Sequence, residues 1–170
     1  QTCDGLGVHQ YFDPERLIVD PELSLSTGAI KGWDRRSMYY YHLLKCVALH
    51  YGFGLDTEWQ ELSEDHKQAV LFGSNAESID FSYVSDRGRE VTKNHPFEGI
   101  IRNLERRYKE TDSQSQRDEL AKLMTHSSCP DCQGSRLNLA ARHVFLGETR
   151  LPDLVKLPIG ECHSFFDSLS

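Results

Sequence analysis

Apolar residues at helical spacing predict several amphipathic helices along this chain. The first spans about residues 35–50, and its apolar face consists of Leu43, Leu44, Val47 and Ala48. A shorter helix is predicted to follow Ser63, a good N-terminal cap, and to end at Gly73, because glycine readily terminates helices. The segment IGECHSFFDSL predicts a last helix near the end of the sequence.

Residues 96–111 predict a longer helix with Pro96 in its first turn. One face of this helix is apolar and consists of Ile100, Ile101, Leu104 and Tyr108. A further helix is predicted over residues 112–126, with Ser113 or Ser115 as its cap.

Alternation of apolar and polar residues predicts the extended segments. Between residues 78 and 96, Ile79, Phe81 and Tyr83 alternate with polar residues and SDRG forms a turn, a pattern typical of a β-hairpin. Short strands are predicted between residues 14 and 30, and an extended segment over NLAARHVFLG. The sequence therefore predicts an α+β fold in which helices accompany a small antiparallel sheet.

Charge is distributed unevenly along the chain. The 170 residues carry a formal net charge of −7, which by itself disfavours nucleic acid because phosphates attract lysine and arginine. Residues 87–109 reverse this balance with a local net charge of +4. We call the cations of this segment the basic island: Arg87, Arg89, Lys93, Arg102, Arg106, Arg107 and Lys109.

The basic island can be interpreted in two ways. Arg102, Arg106 and Lys109 recur at i, i+4 and i+7, so they share a helix face that can contact DNA phosphates. Alternatively, this is a solvated face neutralised by the intrahelical pairs Glu98–Arg102 and Glu105–Lys109.

Aromatic and histidine side chains offer weaker candidates. Trp33 and the tyrosines of MYYYH can stack on exposed bases, but their apolar neighbours favour a place in the core, with Tyr40 or Tyr41 facing outward as the alternative. The histidines form no H-E-x-x-H pattern, and the sequence has no G-x-S-x-G, so no catalytic residue is predicted.

Five cysteines at irregular spacing argue against a secreted disulfide framework and for a reducing, cytoplasmic setting. Cys46 and Cys162 lie in apolar periodic segments, which is typical of buried structural thiols. Cys129 and Cys132 form a C-x-x-C pair followed by glycine, and this places two thiolates on one tight turn where they can bind Zn²⁺. The alternative is an isolated pair that is free or redox-active.

The opening segment TCDGLG has the same form as CPDCQG, except that its first cysteine is absent. Gln1 and Thr2 occupy the positions between that missing residue and Cys3. The pattern predicts that two halves of one zinc site bracket the intervening chain, that the two ends meet, and that the chain is a piece of a larger protein. No apolar run of about 18 residues predicts a membrane-spanning helix.

Five segments together carry a family resemblance: TCDGLGVHQYFDP, GAIKGWDRR, HPFEGIIRNLERRYKET, CPDCQGSRL and LPIGECHSFF. From Thr2 to Leu169 the chain resembles UvrA, the damage-sensing ATPase of bacterial nucleotide excision repair. The resemblance implies a tandem ATP-binding-cassette protein that acts as a cytoplasmic dimer, scans duplex DNA and loads UvrB. It also supports zinc ligation by Cys3, Cys129 and Cys132 with an upstream cysteine, although the partners of Cys3 could lie further upstream.

The resemblance implies two parts within the chain. Residues 1–15 and 127–170 correspond to a zinc-module stem with part of the signature subdomain, and residues 16–126 to an insertion domain. The sequence has no G-x-x-x-x-G-K-[ST] phosphate loop, so this segment is not expected to be an ATPase; ATP and Mg²⁺ belong to the whole protein.

Two functions remain from different classes. One is a domain that contacts duplex DNA through the basic island, without reading its sequence, and aids lesion discrimination. The other is an acidic interaction or spacer module that meets UvrB or a second UvrA subunit.

Overall fold

The computed structural model describes residues 2–84 and 90–169. The chain divides into two units. We call residues 12–124 the helical unit, and residues 1–11 with 125–170 the knuckle unit.

The expected α+β class is confirmed by the elements of both units. In chain order the described helices are α1 (Pro14–Leu17), α2 (Met38–Tyr51), α3 (Glu64–Phe72), α4 (Ile100–Glu110), α5 (Gln114–Ala121), α6 (Leu139–Arg142), α7 (Leu151–Leu154) and α8 (Ile159–Asp167). The strands are β1 (Val8–Phe12), β2 (Ser78–Val84), β3 (Glu90–Pro96), β4 (Met124–Ser128), β5 (Phe145–Leu146) and β6 (Thr149–Arg150). They pair as three two-stranded sheets, β1 with β4, β2 with β3, and β5 with β6. Within the described residues, no helix combines the length and apolar character needed to cross a membrane.

The helical unit has one apolar core, to which α2, α3, α4 and β2 contribute. Its largest fully buried side chains are Trp33, Phe12, Phe81, Leu17, Leu25, Ile30, Leu44, Ile79, Ile100, Val47 and Val70. The predicted apolar faces are confirmed: Leu43, Leu44, Val47 and Ala48 are buried on α2, and Ile100, Ile101 and Leu104 on α4. Tyr108 packs against this core from its edge.

The predicted caps of α3 are confirmed. The Ser63 hydroxyl accepts a hydrogen bond from the backbone N–H of His66, and Gly73 ends the helix with φ of 92°. The Ser63 contact satisfies a backbone N–H that the start of a helix leaves without an intrahelical partner, and the Gly73 N–H bonds to the Ala69 carbonyl in the last turn.

The start of α4 differs from the prediction, because the helix begins at Ile100 rather than near Pro96. Gly99 precedes it with φ of 83°, and a Cβ built there would lie 2.4 Å from the carbonyl carbon of Phe72. The close approach of the α3 and α4 backbones therefore sets this boundary, and it requires glycine at this position.

Three further segments differ from the sequence prediction. Residues 14–17 form the short helix α1, capped by the Asp13 carboxylate, instead of a strand. Residues 124–126 belong to β4 instead of continuing a helix, because they pair with β1. Residues 139–142 form α6 behind an Asn138 cap instead of an extended segment.

The predicted β-hairpin is confirmed in its two strands. β2 and β3 are antiparallel, with Ile79 opposite His95, Phe81 opposite Lys93 and Tyr83 opposite Val91. Directly opposed residues project from the same face of a sheet, so Lys93 shares a face with the buried Phe81 and the half-buried Tyr83. The predicted SDRG turn lies outside the described residues.

Candidate metal centre and nucleic-acid surface

The knuckle unit brings Cys3, Cys129 and Cys132 together. β1 and β4 run antiparallel, and at their end the Cys129 N–H donates to the Gly7 carbonyl at 3.0 Å. This ladder places the first knuckle (residues 2–7) beside the second (residues 129–136). The three sulfurs lie within 4.8 Å of one another, and those of Cys3 and Cys132 are 3.7 Å apart.

The two knuckles share one backbone conformation. The residue after the last cysteine has a positive φ in both, 46° at Asp4 and 52° at Gln133. The following glycine does too, with 83° at Gly5 and 80° at Gly134. Two consecutive left-handed residues turn the chain sharply back past the cysteine, so the likeness between TCDG and DCQG in the sequence reflects a shared fold of the turn.

Gly7 is required by the packing of one knuckle against the other. A Cβ at Gly7 would lie 2.9 Å from Cγ of Arg136 and 3.0 Å from the carbonyl oxygen of Gly134. Its φ of 79° also favours glycine. The glycine therefore allows the first knuckle to approach the second closely enough to bring the sulfurs together.

Backbone amides and burial shift the acidity of these thiols in opposite directions. The backbone N–H of Gly7 faces the Cys3 sulfur and, outweighing desolvation, holds the pKa of that thiol below its ordinary value. The amide of Cys132 faces the Cys129 sulfur, but burial and the neighbouring thiols together raise the pKa of Cys129. The cluster therefore favours a thiolate at Cys3 first, and a cation would favour ionisation of all three.

The donor set fits zinc. Sulfurs bound to one tetrahedral Zn²⁺ lie roughly 3.8 Å apart, since Zn–S bonds are about 2.3 Å. The sulfur separations stay within 4.8 Å, so little movement would close the cluster around an ion. Cys129 and Cys132 are 1% and 7% exposed, and the three cysteines line an open depression of about 580 Å³.

The basic island divides into two groups in the helical unit. Arg102, Arg106 and Lys109 are exposed along one face of α4, as their spacing predicts. Arg107 and Lys93 instead contact tyrosine rings. Arg87 and Arg89 lie outside the described residues.

Arg106 has two carboxylate partners, more than any other described cation of the island. It donates to Glu98 at 2.8 Å and to Glu110 at 3.3 Å. Glu98 therefore pairs with Arg106, eight residues on, rather than with Arg102 as the spacing suggested. The reason is that Glu98 precedes the start of α4, so helical spacing does not apply to it.

Arg107 and Lys93 are held over aromatic rings. The Arg107 guanidinium lies 5.4 Å from the centroid of Tyr40, and the Lys93 ammonium 5.7 Å from that of Tyr83. In the part of the chain that is described, neither cation has a carboxylate within ion-pair distance. The rings limit the freedom of both side chains.

The aromatic residues are arranged differently from the expectation. Trp33 is 1% exposed and belongs to the core, as predicted. The tyrosine that faces solvent is Tyr39, at 60% exposure, rather than Tyr40 or Tyr41. Helical spacing does not single out Tyr39, because Tyr39 and Tyr41 both lie at the edges of the apolar face, and only Tyr40 lies near its centre.

The helical unit, with its exposed cations, matches a known class of DNA-binding domain. Residues 13–122 match the family described as the UvrA DNA-binding domain. Over 169 residues the chain is 53% identical to UvrABC system protein A of Pseudomonas putida, and over 168 it is 51% identical to that of Escherichia coli strain K12. Each match covers 99% of this chain and 18% of the relative.

The fold agrees with these matches. The crystal structure of UvrA2 from Deinococcus radiodurans superposes with a TM-score of 0.70 at 20% identity, over 97% of this chain and 21% of that one. The chain therefore belongs to the UvrA family, as its sequence resemblance indicated. It spans about a fifth of the length of these relatives.

Proposed function

We propose that the helical unit contacts the backbone of duplex DNA without reading its sequence and aids lesion discrimination in a UvrA-type repair protein. The observation that carries this proposal is the match of residues 13–122 to a DNA-binding domain family. The basic island supports it, because its exposed cations lie within the matched segment of an otherwise acidic chain. Contacts to phosphates suit a sensor of lesions, which must tolerate any sequence and respond to the deformability of the duplex.

The knuckle unit is proposed to hold a structural zinc ion through Cys3, Cys129 and Cys132. Zinc would link β1 and β4 at the end of their ladder and fix the two knuckles against each other. A closed structural site supplies folding free energy rather than catalysis. The fourth ligand is proposed to be a cysteine upstream of Gln1, in register with Cys129 of the second knuckle.

The remaining roles belong to the whole protein. Family membership supports a cytoplasmic ATP-binding-cassette ATPase that uses ATP and Mg²⁺, pairs with a second UvrA subunit and delivers UvrB to damaged DNA. This segment is proposed to take no part in ATP hydrolysis, since its sequence has no phosphate loop.

A second candidate follows from the net charge of −7. An acidic spacer or interaction module would meet UvrB or the neighbouring subunit and would show no affinity for DNA at any salt concentration. Salt dependence distinguishes the two functions, because phosphate contacts give affinity that falls steeply with salt.

The test compares single arginine variants by fluorescence anisotropy on a duplex over a salt series. Arg102→Ala and Arg107→Ala should each flatten the slope of log affinity against log salt by about 0.9. Lys122→Ala is the matched control, because it removes an exposed cation of the same unit that is already paired with Glu119. Slopes that are unchanged in both arginine variants would favour the spacer.

A further inference from the structure

Two large apolar side chains at the start of α2 face solvent. Met38 is 80% exposed and Tyr39 is 60% exposed, whereas Leu43 and Leu44 in the next turn are buried. The Tyr39 ring is therefore an aromatic face at the surface that takes no part in the core.

The ring of Tyr39 is supported by a stack that reaches into the core. Its centroid is 5.3 Å from that of Tyr40, with the rings at 72° to each other. Tyr40 in turn lies 4.4 Å from the buried Trp33. The exposed ring thus rests on fixed aromatic neighbours, which lowers the entropy that it would lose on binding a flat partner.

Two cations lie over tyrosine rings on the elements around Tyr39. Arg107 lies over Tyr40, whose ring contacts that of Tyr39. Strand β2 packs against α2, where the His42 ring contacts the Ser82 carbonyl, and the next residue of β2, Tyr83, has Lys93 over its ring. Burial, and then the phenol of Tyr39, raise the pKa of Tyr83. The exposed ring of Tyr39 therefore lies on a helix that brings one such cation from α4 and one from the hairpin to the same unit.

We propose that Tyr39 stacks on an unpaired nucleobase of DNA, while Arg107 and Lys93 bind the phosphates that flank it. This inference rests on the proposed DNA contact and adds a means of discrimination to it. Every base has an aromatic face, so stacking is tolerant of sequence. In an intact duplex these faces are covered by the neighbouring base pairs, so only a distorted or unpaired site can offer one to Tyr39.

The experiment uses the chain with two duplexes of the same sequence, one fully paired and one with a single bulged nucleotide. Tyr39→Ala should weaken binding of the bulged duplex about 5- to 150-fold, the range that base–aromatic stacking supports. Binding of the paired duplex and its salt slope should stay unchanged. Tyr39→Phe and Tyr39→Trp keep an aromatic face and should keep the preference for the bulge.

A second readout reports stacking directly. With 2-aminopurine as the bulged base, binding of the unmodified chain and of Tyr39→Phe should quench its fluorescence, and binding of Tyr39→Ala should not. Leu49→Ala is the matched control, because Leu49 is 86% exposed on the same helix at its other end. It should leave both affinities and the quenching unchanged.

Each outcome decides the question. If Tyr39→Ala keeps the full preference for the bulge, or weakens binding of both duplexes equally, the stacking role is excluded while DNA binding stands. If the unmodified chain binds neither duplex at low salt, the proposed function itself fails.

Discussion

The two units of this chain are ordered by different means. The helical unit buries a continuous set of large apolar side chains around Trp33, Leu44, Phe81 and Ile100. Among the described residues of the knuckle unit, those that are buried are Gly7, Cys129, Cys132, Ser135, Pro152 and Leu154. Apolar burial contributes about 25 cal/mol per Å², so it can stabilise the first unit but contributes little to the second.

The contrast predicts that the order of the knuckle unit depends on its thiols. Its longest helix, α8, has no buried residue, and Ile159 on it is 91% exposed. What defines the unit is the β1–β4 ladder and two glycine turns that converge on three sulfurs. With zinc bound as proposed, such a region is expected to lose order when the metal is removed, whereas the helical unit is not.

The largest expected effect therefore comes from Cys129→Ser. Loss of one thiolate should lower zinc content to a small fraction of one ion per chain and raise amide exchange in β1, β4 and both knuckles. Exchange in α2 and α4 should not change. Cys46→Ser is the control, because Cys46 is half-buried in the helical unit and should leave the zinc content intact. Equal zinc content and equal exchange in the two variants would contradict the metal site.

The next prediction tests the apolar core of the helical unit. Trp33→Ala removes a side chain that is 1% exposed at the centre of the helical unit and should lower its free energy of unfolding by about 3–5 kcal/mol. The zinc content should stay the same, because no ligand of the proposed zinc site lies in the helical unit. Urea titration followed by circular dichroism measures the loss, with Met38→Ala, 80% exposed, as the control that should cost less than about 0.5 kcal/mol. A loss of zinc in Trp33→Ala would show that the units depend on each other.

A smaller loss of stability is expected at Gly99, where the backbones of α3 and α4 approach each other closely. Gly99→Ala must place a Cβ 2.4 Å from Phe72 and adopt φ of 83°, which together should cost about 2–4 kcal/mol. Gly52→Ala separates these two causes, because Gly52 has φ of 74° but no atom within 4 Å of the added Cβ. It should cost only about 1–2 kcal/mol in the same urea titration. Equal costs would mean that steric contact contributes nothing at Gly99.

The same contrast explains how far the sequence predicts the structure. Local signals succeed where local chemistry decides, as at the Ser63 cap, the Gly73 terminus and the alternating residues of β2. They also miss the short helices α1 and α6, although Asp13 and Asn138 cap them locally, and they fail where a distant segment decides. Residues 124–126 have a helical pattern but pair with β1, and the start of α4 is set by contact with Phe72.

In the candidate site, too, the sequence predicts local features but not contacts with distant segments. The cysteines could be predicted as a group because two similar spacings imply two similar turns, and the structure places their sulfurs together. Exposure of Arg102, Arg106 and Lys109 could be predicted from their spacing, but the partners of the island's cations could not. Glu98 reaches Arg106 from outside the helix, and Arg107 lies over Tyr40 of another helix, so neither contact follows from spacing along α4.

The smallest expected effect concerns charge at the surface of the helical unit. The Glu98 carboxylate accepts hydrogen bonds from Arg106 at 2.8 Å and from Asn103 at 2.7 Å. Arg106, and then Asn103, hold the pKa of Glu98 below its ordinary value despite partial burial. The Glu98 side chain is 40% exposed and solvent screens the pair, so Glu98→Gln should cost less than about 1 kcal/mol at neutral pH.

The pH dependence of this cost has a defined sign. Because the folded-state pKa of Glu98 is lowered, its ionised form stabilises the fold above the ordinary carboxyl pKa of about 4.3, and this stabilisation is lost as pH falls through the lowered pKa. The difference between the unmodified chain and Glu98→Gln in urea titration should therefore vanish in acid.

The same variant should release Arg106 for a phosphate and steepen the salt slope of DNA binding by up to about 0.9. Glu105→Gln removes an equal charge from α4 without touching Arg106, so an identical response in both variants would mean that net charge, not the Glu98–Arg106 pair, sets the effect.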